Sequence, residues 1–258
     1  SSSRRTTIRS AIEHLATVTR FHVALLLSRG GDHETALQLL YSLCRNQEKT
    51  ELLVQALGLA GLALHYLPSQ IPARMRQIVL EEGEAQYLAG SRQIEAAVKA
   101  AEALVAKYPD TGNIHYSYGL MLLLNAPDRA MEEFQRELQL NPTHVSALLQ
   151  MAFEYLKRGD IEKAVPYAER AVQLAPRSFH ARNAYGRALL DSGKVDQAIR
   201  ELEIGHTLAP ESPETCYALV RAYTRAGRNE DAARARAEFD KLEKLRQIKQ
   251  GHAPPGQS

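Results

Sequence analysis

The chain has no tryptophan, only two cysteines in 258 residues, and aromatic side chains make up 6% of it. It also lacks any apolar run of about eighteen residues, the length a membrane-spanning helix needs, so no membrane insertion is expected. Charge of one sign is missing too: 32 Lys and Arg stand against 30 Asp and Glu, a net charge of +2. A balance this even gives no ground for a nucleic-acid or membrane-surface partner. Glycine (15) and proline (11) are few enough to be confined to turns. The chain opens Ser1-Ser2-Ser3-Arg4-Arg5, with neither an initiator methionine nor an apolar signal core. This reads as a piece of a longer or processed chain whose compartment, cytoplasmic or periplasmic, is not visible here. What the sequence does have is 45% hydrophobic residues, ample for a large buried core.

Those hydrophobic residues recur. Gly159, Gly193 and Gly227 stand 34 residues apart, as do Ala164, Ala198 and Ala232, and Pro142, Pro176 and Pro210. Ala152, Gly186 and Val220 share the interval, and so do Tyr155, Leu189 and Tyr223. Each class has a steric reading. Glycine ends the first helix of a pair in a left-handed conformation. Small residues sit where two helices cross, and large ones fill the space between successive pairs. One such unit cannot bury its own apolar face, so stability comes from stacking.

Apolar periodicity and turn signals predict about 13 helices. The first two, 4–28 and 33–45, form a pair around Gly31. The segment 50–66 reads as an orphan helix that breaks the repeat phase and ends at Leu67-Pro68. Five pairs follow: 73–90 with 93–107, 113–124 with 129–140, 144–157 with 161–174, 179–190 with 195–208, and 213–225 with 230–250. The organisation expected is an N-terminal region 1–72, a repeat array 73–250 ending in a capping helix, and a disordered tail 251–258. Pro166, one turn inside its helix, predicts a kink or a late start there.

These small, aromatic and proline positions resemble the tetratricopeptide repeat (TPR) family, most fully over 145–242. Stretches such as Gly186-Arg187-Ala188-Leu189-Leu190 are similar to bacterial TPR proteins of no assigned chemistry. The resemblance implies an all-α, right-handed superhelical solenoid of antiparallel helix pairs. It also implies a concave face, lined by the first helix of each pair, that binds a peptide or a partner helix.

Helical spacing places Tyr116 and Leu120, then Leu149 and Phe153, then His180, Asn183 and Arg187, then Tyr217, Arg221 and Arg225 on that inner face. The set is apolar and aromatic in its middle and basic at its C-terminal end. It suits a protein or peptide ligand with an apolar segment and an acidic end. A second copy of the chain, or the segment 50–66 itself, is an alternative cover. The function expected is a non-enzymatic interaction scaffold. The alternative is a helical accessory domain of a larger enzyme or envelope assembly.

Residues that carry chemistry are scattered. Ala188–Lys194 grazes the phosphate-loop pattern but lacks its first glycine and has Val195 where a magnesium-binding hydroxyl belongs. His33-Glu34 has no second histidine one helical turn on, and the nine histidines show no metal-ligand spacing. Cys44 and Cys216 lie in distant repeats and read as free, semi-buried thiols. Glu81, Glu82 and Glu84 read as a solvated acidic face. No catalytic residue, metal or cofactor is expected. The last helix is basic, with nine Lys or Arg against five Asp or Glu over 221–249, and reads as the polar outer face of an end cap.

Overall fold

The structure, a computed structural model, describes residues 2–45 and 49–249, with side chains from residue 15. The tail 251–258, expected to be disordered, lies outside the described residues, as do the side chains of Ala11 and Ile12 in the first apolar stripe. Among the described residues there are thirteen α-helices, two single 3-10 turns and no strand. None of these helices is long and apolar enough to cross a membrane. The chain divides into two compact units, Ser1–Pro142 and Thr143–Ser258, whereas the sequence reading drew its boundary after residue 72.

The first unit holds α1 (Ser2–Arg29), α2 (His33–Cys44), α3 (Glu51–Gly61), α4 (Arg76–Gly90), α5 (Ile94–Lys107), α6 (Ile114–Leu122) and α7 (Pro127–Leu140). Side-chain caps set two of the starts: Asp32 accepts from the Thr35 amide at 3.2 Å, and Thr50 accepts from the Leu53 amide at 3.2 Å. Helix α1 is far longer than its partner α2, so its early turns overhang. Leu15 and Val18 are exposed, and packing begins at Phe21 and Ala24.

Helix α3 corrects the sequence reading twice. It ends at Gly61 rather than running to residue 66. The Leu64 amide turns back to the Leu59 carbonyl, with Ala63 held at a φ of +50°. The chain then passes through the turns Pro68–Gln70 and Ala73–Met75, the second of which replaces the expected first turn of α4. Nor is α3 an orphan, because it packs backbone to backbone on α4. A Cβ on Gly58 would lie 1.8 Å from the Val79 carbonyl oxygen, and one on Gly83 would lie 2.0 Å from that of Val54. Apolar residues from α3, α4, α5 and α6 (Leu59, Val79, Leu104, Ile114) form one continuous core here.

The acidic cluster is a further correction. Glu81 pairs with Lys107 and Glu84 with Lys49, as a solvated face would, but Glu82 is fully buried. Its Oε1 accepts from Ser117 at 2.6 Å and Gln86 at 2.7 Å, while Oε2 has no partner. Tyr41 of α2 donates to Gln86, so α2, α4 and α6 share one polar network. Burial pushes the Glu82 carboxyl up to about 7, against a smaller opposing pull from its hydroxyl and amide donors. A second buried carboxylate, Glu137 of α7, accepts from the Asn113 amide at 3.0 Å and the Tyr116 amide at 3.4 Å, so it serves the N-terminus of α6.

The second unit holds α8 (Val145–Arg158), α9 (Ile161–Leu174), α10 (Phe179–Asp191), α11 (Val195–Leu208), α12 (Pro213–Arg225) and α13 (Asn229–Lys249). Here the 34-residue pattern translates directly into geometry. Gly159, Gly193 and Gly227 have φ of +78°, +83° and +71°, and nothing lies within 4 Å of a Cβ on any of them. They are there for backbone conformation alone. Gly159→Ala is therefore expected to cost only about 1 kcal/mol, measured by urea denaturation. Ala152, Ala164 and Ala198 are fully buried at the crossings, and a Cβ on Gly186 would come within 2.6 Å of Leu202. Ser178 and Ser212 cap α10 and α12 by accepting from amides three residues on, at 3.3 Å each. Helix α9 begins at Ile161 and runs through Pro166 to Leu174, so the late start expected there does not occur.

Candidate functional site

Helix α10 packs on both α8 and α12, so the first helices of three successive pairs lie side by side. The 34-residue period puts equivalent positions in register across them: Leu149, Asn183 and Tyr217 in one row, Phe153, Arg187 and Arg221 in the next. The residues expected to line a face divide into three groups.

Phe153 and Arg187 come together, with Asn183 one helical turn before Arg187 on α10. The Arg187 guanidinium sits over the Phe153 ring, 5.8 Å from its centroid. Among the described residues Arg187 has no carboxylate partner. Asn183 is 5% exposed, yet its side-chain oxygen Oδ1 has no hydrogen-bond donor. A buried amide oxygen without a donor costs about 1–3 kcal/mol. Leu149 is buried beneath this row, and His180 is exposed at the start of α10.

Arg221 and Arg225 are already engaged. Arg221 donates to Asp191 Oδ1 at 2.8 Å, and Arg225 lies 3.8 Å from the same oxygen while donating to the Leu190 carbonyl. The basic end read from the sequence thus contains a carboxylate that answers both arginines. Tyr217 turns instead toward α13, where its ring meets Phe239 at 5.7 Å, and it remains half exposed.

Tyr116 and Leu120 belong to the first unit. Tyr116 is buried, its hydroxyl donates to Glu34 at 2.9 Å, and its ring packs at 5.8 Å from Phe134. Leu120 is half buried on the same short helix. The residue that sequence reasoning passed over is Phe239 of the last helix. Its place beside Tyr217 follows from the pairing of α12 with α13, but the equivalent positions of the two preceding pairs, Gly205 and Ala171, are small and gave no aromatic signal.

Antiparallel helix pairs repeating every 34 residues, with positive-φ glycines at the turns and small residues at the crossings, define a TPR protein. The chain belongs to the family of the cilia and flagella-associated protein 70 middle TPR-like domain, whose profile matches residues 85–243. Among solved structures, a MamA RS-1 double mutant matches with a TM-score of 0.59 and 22% identity, over 65% of this chain and 94% of its own. MamA from Desulfovibrio magneticus RS-1 matches at 0.56 and 22%, over 66% and 94%. YrrB, described as a TPR protein with an unusual peptide-binding site, matches at 0.54 and 18%, over 61% and 82%. At these identities the likeness is one of fold. No curated protein matches the sequence.

Proposed function

We propose that this chain is a non-catalytic interaction scaffold that binds an extended peptide or partner helix on the face shared by α8, α10 and α12. The observation that carries this is Arg187, stacked over the Phe153 ring and with no carboxylate partner among the described residues. A ring-stacked arginine left without an acidic partner suits a ligand that brings a carboxylate. YrrB, a relative in fold, is itself described as peptide-binding, which supports the reading. The acidic end of the ligand falls to Arg187, since Arg221 and Arg225 already share Asp191.

The test uses a peptide selected by panning a random library against the protein, its affinity then measured by calorimetry. Arg187→Glu should weaken binding by about 10- to 100-fold, the equivalent of one charge-assisted hydrogen bond, and Phe153→Ala, which removes the ring beneath the guanidinium, should weaken it in the same direction. Unchanged affinity in both variants contradicts the proposal. Arg221→Glu is a poor probe, because it sets two carboxylates against each other at Asp191.

A further inference from the structure

The last turn of α11, the first turns of α12 and the middle of α13 meet at three side chains that play no part in the face described above. His206 Nδ1 lies 3.8 Å from Cys216 Sγ, and His206 Nε2 lies 3.4 Å from Glu238 Oε2. Counting one ring nitrogen for His206, since a single ion can take only one of the two, the three donor atoms all fall within 4.8 Å of one another. We propose that His206, Cys216 and Glu238 bind a divalent transition-metal ion of the zinc type.

The donor set is the first reason. Imidazole, thiolate and carboxylate together are the ligands of zinc and its neighbours, whereas magnesium and calcium take oxygen alone. Spacing is the second. Donors about 2.0–2.3 Å from a tetrahedral ion stand roughly 3.5 Å from each other, so small side-chain rotations suffice to close this cluster. Rigidity is the third. Cys216 is fully buried, one turn after the cap in which Ser212 accepts from the Thr215 amide. His206 stands at the end of α11 with its side chain 26% exposed, and Glu238 rises furthest toward solvent, at 44%. Water can enter at that edge and complete the coordination.

Burial also argues against the simpler roles. A thiol with no exposed surface offers nothing for a substrate to reach, so this is not a nucleophile and its base. Burial, with the Glu238 charge adding to it, pushes the Cys216 thiol up to about 11. Without a cation it stays protonated. On binding, the thiol proton passes to solvent and the sulfur becomes a ligand. The ion then joins α13 to α11 and α12.

The experiment uses the whole protein, stripped with chelator and titrated with Co²⁺ as a spectroscopic stand-in for Zn²⁺. A sulfur-to-cobalt charge-transfer band should grow to one equivalent and disappear when Zn²⁺ is added. Cys44→Ser should keep the band, since Cys44 donates to the Leu40 carbonyl with no histidine at hand. Cys216→Ser should lose it. Because Cys216 lies in the core, the part-exposed variants His206→Gln and Glu238→Gln, checked for native helix content, decide independently: each should weaken Co²⁺ binding at least about 10-fold. Zn²⁺ should also raise the melting temperature of the wild type but not of His206→Gln. Absence of the band in the wild type, or an unchanged titration in His206→Gln, overturns the proposal.

Discussion

Gly58→Ala should destabilise the first unit by about 3 kcal/mol or more, the top of the range typical of overpacked cores. The added methyl would sit 1.8 Å from the Val79 carbonyl oxygen, and backbone cannot rotate away as a side chain can. Gly83→Ala should do the same through the Val54 carbonyl at 2.0 Å. Gly159→Ala is the internal contrast, because it meets no atom and strains only its own φ. Urea denaturation followed by circular dichroism separates the two mechanisms: a lowered midpoint for Gly58→Ala well beyond that of Gly159→Ala is the expected order. Equal shifts would mean that α3 does not hold α4 at this distance.

The second large effect is on pH dependence. Burial holds the Glu82 carboxyl at about 7 in the folded state, against an ordinary value of 4.5. The folded state thus favours the protonated form. Stability is fully present below the unfolded value of 4.5, falls as the unfolded chain ionises, and the loss is complete once pH passes the folded value. At about 1.4 kcal/mol for each pH unit between the two values, the loss totals about 3 kcal/mol. Glu82→Gln removes the ionisation and keeps a carbonyl for Ser117. The difference in stability between variant and wild type should therefore move in the variant's favour by about 3 kcal/mol between pH 4.5 and 8. His115 adds to the same alkaline loss in the wild type. Burial alone lowers its pKa, but hydrogen bonds to Glu133 at 2.7 Å and the Pro109 carbonyl at 2.8 Å raise it, so its contribution is present below 6.5 and lost above. Both proteins carry that residue, so it cancels in the comparison. A difference flat in pH would show that Glu82 is ionised throughout.

Much of the second unit was legible because its rules are local. A glycine closing a helix, a serine capping one and a small residue at a crossing act within one repeat. Gly159 and Ala164 therefore did in the fold what their spacing announced. The first unit was read less well because its determinants are pairwise and distant. Gly58 and Gly83 carry a signal, since mid-helix glycine is unfavourable and marks a close approach. The signal does not say that each is the other's partner. The segment Leu62–Tyr66 imitated one further turn of α3, although the turn at Ala63 had already ended it. Glu82 sits between acidic neighbours that are only half-buried and ion-paired to lysines, so its full burial alone distinguishes it. At the candidate site the helical register was legible, but the pairings were not: Asp191 takes Arg221, and Phe239 takes Tyr217.

The account rests on one claim, that the face shared by α8, α10 and α12 receives the ligand. An amide chemical-shift map of the protein titrated with a selected peptide tests it most directly. The largest shifts are expected around Phe153, Asn183 and Arg187, with little change around Lys49, Val54 and Glu84, which line a separate groove in the first unit. Shifts confined to that groove, with Asn183 and Arg187 silent, would contradict the claim.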